Sequence, residues 1–196
     1  MPFQFSLHTL HGDGQVWHDE FIDLSGADPT KTFAMRMVEV CGATGPVFVY
    51  SVGFEGHVIA GLAARLSALE DRLRALRHRL VDLKPVTEQH YYHPAQQGKW
   101  GLKSVLPTLG GGTDHSQLGG VADGQMVVDA YLEATDSATA PHRVQALRHQ
   151  LLTYCRLDTW AMVRLWGVLV GRKLAVTEAP DLSDPRLSSP QGGHDF

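Results

Sequence analysis

Between Gly45-Pro46 and Gly53 stands a run, Val47-Phe48-Val49-Tyr50, that is apolar at every position instead of alternating. β-Branched and aromatic residues in so short a run, released by a Gly-Pro turn, predict a strand buried on both faces and central in its sheet. Such a strand needs helices above and below, and the flanking sequence supplies them. On its N-terminal side Asp28-Pro29 offers an N-cap and a first-turn proline, and Phe33, Met37 and Val40 recur at helical spacing until Gly42. On its C-terminal side leucines fall at Leu62, Leu66, Leu69, Leu73, Leu76 and Leu80, alternating steps of four and three that predict one amphipathic helix packed on the sheet. Ahead of both, Phe3 to Leu10 and Val16 to Leu24 alternate apolar with polar residues around His11-Gly12-Asp13-Gly14, the pattern of a β-hairpin. Val81-Asp82-Leu83, ended or bent by Pro85, reads as the last short strand.

The segment from Tyr91 to Gly124 is rich in Gly, Pro and His and predicts irregular structure, with one short helix on Leu102, Val105, Leu106 and Leu109 stopped by Gly110-Gly111-Gly112. Helical patterns return over Met126 to Ala134 and His142 to Val170. The whole reads as one α/β domain over residues 1–170 with a flexible tail over 171–196. A net charge of −4 excludes a global basic field of the kind that neutralises duplex phosphates, so any nucleic-acid contact has to be local. Cys41 and Cys155 fit neither a disulfide framework nor a zinc spacing, and no apolar stretch is long enough to span a membrane; a cytoplasmic location is expected.

Two places carry chemistry. In Tyr154-Cys155-Arg156-Leu157-Asp158 a tyrosine and an aspartate four apart on a helix project from the same face, and an aspartate there is costly to bury unless paired, hydrogen-bonded or metal-bound. The competing reading makes Asp158 a cap for a helix continuing from Thr159. In Val49-Tyr50-Ser51-Val52-Gly53-Phe54-Glu55 a buried strand delivers a loop and then an acid at a helix start, where α/β folds present functional groups. Glu55 there is either a ligand or a first-turn acid favoured by the helix dipole.

In this order, strand, Phe-acid, helix, short strand and late Tyr-x-x-x-Asp helix, the chain resembles the DnaQ-like (DEDD) 3′→5′ exonuclease superfamily. Phe54-Glu55 stands where that superfamily has Phe-Asp, and Ser51 where Asn is usual. Tyr154 and Asp158 match its tyrosine subclass, since the histidine subclass would need His where Thr153 stands. More closely, Pro2-Phe3-Gln4-Phe5-Ser6-Leu7-His8, Leu80-Val81-Asp82-Leu83, His90-Tyr91-Tyr92-His93-Pro94, Leu102-Lys103-Ser104-Val105-Leu106-Pro107 and Tyr154 to Thr159 resemble a bacterial family of DnaQ-like domains found C-terminal to RecB-like nuclease modules. The resemblance implies an RNase H-like mixed sheet flanked by helices, acting on single-stranded nucleic-acid 3′ ends, with an upstream nuclease module or another protein as partner. It implies Glu55 and Asp158 as ligands of Mg²⁺ or Mn²⁺ and Tyr154 as the group orienting the attacking water. The superfamily's opening strand carries Asp-x-Glu, and no aspartate of this chain has a glutamate two residues on. The fold is therefore expected to lack its first, central strand, between the hairpin and the Val47 to Tyr50 strand, and metal binding is expected to be weak or absent. A non-catalytic module binding nucleic acid or a nuclease partner is the alternative.

Tyr91, Tyr92, Trp100 and Lys103, with Lys99, offer rings for base stacking and amines for phosphate, against a packed-loop alternative. His90 and His93 lack further ligands for a zinc site. Asp82 suits a turn or cap, and the arginines from Arg65 to Arg79 a solvated helix face.

Overall fold

The computed structural model describes residues 1–110 and 124–172. The hairpin forms as expected, β1 (Gln4–Leu10) pairing antiparallel with β2 (Val16–Ile22) in the register Gln4↔Ile22 to Leu10↔Val16. Gly14, at φ 86°, supplies the left-handed turn residue, and the Asp13 carboxylate accepts the Gln15 amide. Helix α1 (Thr30–Val40) starts where Asp28 accepts both the amide and the hydroxyl of Thr30. Strand β3 (Val47–Val49) pairs in parallel with β4 (Leu80–Asp82), as a strand–helix–strand crossover requires.

Two expectations need correction. The leucine-spaced stretch is two helices, α2 (Gly53–Arg65) and α3 (Glu70–His78), joined by a 3₁₀ turn over Ser67–Leu69. Leu66 leaves the helical region there (φ −122°, ψ 78°), yet Leu62, Leu73 and Leu76 still enter one core, so the leucine spacing survives the bend. The strand β3 is covered on both faces but is not central among the described strands, since it pairs only with β4. Pro85 sits inside the first turn of α4 (Leu83–His90), where a missing N–H costs nothing. Beyond it come a 3₁₀ turn (Pro94–Gln96), the short α5 (Leu102–Val105) with a 3₁₀ turn (Leu106–Leu109), α6 (Gly124–Thr135) and α7 (Pro141–Leu169). The expected stop at Gly110 is seen at φ 74°; Gly111, Gly112 and the tail from residue 173 lie outside the described residues.

The described residues form a mixed α/β fold of two small sheets between helical layers. On one side α1, α2 and α3 bury Phe33, Ala34, Ile59, Leu62, Leu73 and Leu76 against Phe5 and Phe21 of the hairpin and Val47 and Leu80 of the parallel pair. Phe33 meets Phe5 edge-on at 5.3 Å. On the other side α7 covers both sheets, its Thr159 bonded to Ser6 and His8 of β1 and its Trp166 6.3 Å from Phe48 of β3. Both sheets thus share one layer, although no strand pairing joins β1 to β3. None of the described helices is long and apolar enough to cross a membrane.

Arg79 departs from the solvated-face reading. Its guanidinium donates to the carbonyls of Gly45, Gly42 and Cys41 at 2.7, 2.7 and 2.8 Å, clasping the loop that launches β3. Hydrogen bonds from a charged donor are stronger than neutral ones, and Lys cannot reproduce a three-way fork. Arg79→Ala should lower stability by about 2–3 kcal/mol, and Arg79→Lys should recover only a minor part, both read from urea midpoints.

Candidate functional site

The C-terminal ends of β3 and β4 lie side by side and turn into α2 and α4. Asp82 organises this edge. Its Oδ1 accepts the amides of Ser51 and Lys84, and its Oδ2 accepts that of Val52, each at 2.9 Å. Although partial burial pulls its pKa upward, the Val52, Lys84 and Ser51 amides hold it below the usual carboxylate value. The cap and turn role expected of Asp82 is thereby met, and it explains how Ser51 is held at φ 74°.

Glu55 follows in the first turn of α2, beside an exposed Phe54. Its carboxylate is half-buried, and Oε2 is shielded from water without a hydrogen-bond partner. Burial, with the charge of Asp82 adding to it, raises the Glu55 pKa. A shielded carboxylate oxygen of this kind would welcome a cation, but the neighbouring acid, Asp82, already spends its oxygens on three amides. Among the described residues no group of three His, Cys, Asp or Glu side chains could hold a metal ion. The residues present do not fit a two-ion centre.

Tyr154 and Asp158 lie in the interior of the continuous helix α7, which disposes of Asp158 as a cap. Asp158 is half-buried, and after burial its charge is the next cause that pushes the Cys155 thiol up to about 12. The Tyr154 ring packs against the α6–α7 cluster, and the Lys103 ammonium stands 5.2 Å from its centroid, a cation–π distance. The structure thus brings together Lys103 and Tyr154, which were singled out for different reasons. It does not bring Glu55 to them through a bond; the charge that Glu55 feels is that of Asp82.

The segment from Tyr91 to Gly110 is irregular but tied at many points. Tyr50 donates to the Trp100 carbonyl, the Trp100 indole to the Tyr91 carbonyl, and the Tyr91 hydroxyl meets Thr108. Buried Gln96 accepts the His93 amide and donates to the Lys99 carbonyl, while the His93 ring accepts from Ala95. Tyr91 therefore holds the segment together, packed against the core of Leu83, Val105, Leu106 and the α7 residues Leu157 and Trp160, whereas Tyr92 and Lys103 are exposed.

One cluster was not legible in the sequence. Between the hairpin and α7, Ser6 bonds His18 Nε2 at 2.9 Å and Thr159 at 2.8 Å, and His8 Nδ1 bonds Thr159 at 2.8 Å, with the two imidazoles 4.6 Å apart. Burial, then the neighbouring His18 and Arg156 charges, lowers His8 to about 3; burial and Arg156 lower His18 to about 4. Polar residues at alternate hairpin positions read as a solvent face, and only the packing of α7 reveals otherwise.

The architecture and these sites define a mixed α/β domain with acids at strand and helix ends. The chain belongs to a family described as a domain of unknown function, DUF2779, whose model matches residues 1–101. The matched stretch holds Glu55, Asp82 and the Tyr91–Trp100 segment, with Lys103, Tyr154 and Asp158 beyond it. No curated protein and no solved structure matches the chain.

Proposed function

We propose that the chain is the larger part of a DnaQ-like, RNase H-like exonuclease domain that engages single-stranded nucleic-acid 3′ ends, and that it is catalytically incomplete as it stands. The observation that carries this reading is the split sheet. Two two-stranded sheets share one layer between the same helices without pairing to each other, and a strand between β1 and β3 would join them into one sheet. The resemblance puts Asp-x-Glu on a strand at that place. Tyr154 and Asp158 on one helix face, both half-buried and with the Lys103 ammonium over the Tyr154 ring, add support.

The carboxylates of Glu55 and Asp158 would hold Mg²⁺ or Mn²⁺ only with further acids, and the described residues form no group of three His, Cys, Asp or Glu side chains that could bind an ion. No hydrolytic step is assigned to these residues alone. In the superfamily the ions supply activation of water and neutralisation of the scissile phosphate.

The purified chain with Mn²⁺ should leave an end-labelled single strand intact. The chain extended at its N-terminus by a strand bearing Asp-x-Glu should shorten it from the 3′ end. In that extended form Asp158→Asn should cost at least about a hundredfold in rate, since it would remove a carboxylate that the resemblance makes an ion ligand, and Tyr154→Phe should cost less, since the phenol would only orient the water. Robust digestion by the unextended chain would contradict the incomplete-site reading. Silence of a well-folded extended form would favour the alternative, a non-catalytic module binding nucleic acid or a nuclease partner, for which the amide-saturated Asp82 already speaks.

A further inference from the structure

A net charge of −4 makes any concentration of positive charge informative, and from Tyr91 to Gly110 the chain has no Asp or Glu at all, while it carries Lys99 and Lys103. Those two lysines line one open cavity of about 380 Å³, together with His93, Gln97, Ser104 and Thr108. The wall is preorganised, because Gln96 is 1 % exposed with both ends of its amide engaged, and Gln97 and Gly98 hold left-handed conformations at φ 51° and 74°. Tyr92, next in the chain to the lining residue His93, is 65 % exposed, and its ring is tilted 42° to that of Trp100 at 6.4 Å. Lys103 links the cavity to the candidate site, since its ammonium also lies over the Tyr154 ring.

We infer that this cavity is the backbone-phosphate subsite of a single-stranded nucleic acid, with Lys99 and Lys103 meeting successive phosphates, Ser104 and Thr108 offering hydroxyls, and Tyr92 stacking a base. The inference deepens the exonuclease reading by giving the strand a path toward Tyr154 and Asp158. It rests on that reading for its direction only, because binding here needs neither a metal nor Asp-x-Glu. Ammonium groups on a fixed wall suit a phosphodiester, and an aromatic face accepts any base, so sequence preference is not expected.

The test is fluorescence anisotropy of a labelled oligothymidylate with the full chain in chelator-treated buffer, across a salt series. Lys99→Glu with Lys103→Glu should weaken binding at least about tenfold and reduce the slope of log affinity against log salt by roughly 1.4, the share of two phosphates on a single strand. Tyr92→Ala should weaken it about tenfold without changing that slope. Lys31→Glu, an exposed charge on α1, should change nothing. The inference is overturned if the wild-type chain does not bind, if Lys31→Glu weakens binding as much as the cavity lysines, or if inorganic phosphate displaces the strand at equal phosphate concentration, which would mark a free-anion site. Failure of cleavage by the extended chain would leave these binding results standing, and loss of binding would leave the acid arrangement to be judged on cleavage alone.

Discussion

Replacing Trp160 by alanine is expected to cost about 3–5 kcal/mol, close to the whole stability of many domains of this size. Trp160 is 2 % exposed in the core that joins α7 to α4, α5 and the 3₁₀ turn after it, among Leu83, Val105, Leu106, Leu157 and Leu165. Those partners come from distant stretches of chain, so no single element can move in to fill the space. The indole also carries a penalty, for its Nε1 is shielded without a hydrogen-bond partner. Trp160→Phe removes that unpaired donor along with part of the ring, so its loss should be well under half that of Trp160→Ala. Urea unfolding of the two variants measures the difference. Equal losses would mean that the indole nitrogen is satisfied by water and that the site repacks around neither ring.

The sequence disclosed the elements better than their company. Phe33, Met37 and Val40 at helical spacing gave α1, and the alternation around His11 to Gly14 gave the hairpin, because both patterns repeat within one turn or one pleat. The leucine stripe misled, since α2 and α3 pack on the same cluster and keep its spacing through a bend that Leu66 makes with its backbone. Arg79 could not be read as a clasp because its three carbonyl partners lie more than thirty residues away and exist only once α1 and β3 are placed. At the candidate site, Tyr154 and Asp158 share a helix face by arithmetic alone. That Lys103 covers Tyr154, that Tyr91 is tied to Thr108, and that Asp82 spends its oxygens on amides all depend on how distant segments meet.

Acidification should destabilise the domain through the Ser6–His8–His18–Thr159 cluster. In an unfolded chain both imidazoles titrate near 6.5, whereas in the fold His18 stays neutral to about 4 and His8 to about 3. Between those values the unfolded chain binds more protons than the folded one, so stability rises with pH. The contribution is fully present above pH 6.5 and is lost as pH falls below it, the loss from His18 levelling near pH 4 and that from His8 near pH 3. At pH 5 each imidazole sits about 1.5 units below its unfolded pKa, equivalent to about 2 kcal/mol before solvent screening and mutual coupling reduce it. Glu20, 3.8 Å from His18, has its pKa raised by burial and titrates in the opposite sense, returning part of the loss below that raised value. A net fall of about 2–3 kcal/mol between pH 7 and pH 5 is expected from urea midpoints. His8→Gln with His18→Gln keeps hydrogen-bonding groups in place without a titrating ring, and it should flatten the curve between pH 6.5 and 5. A slope unchanged in that double variant would place the acid sensitivity elsewhere and show that water reaches the imidazoles freely.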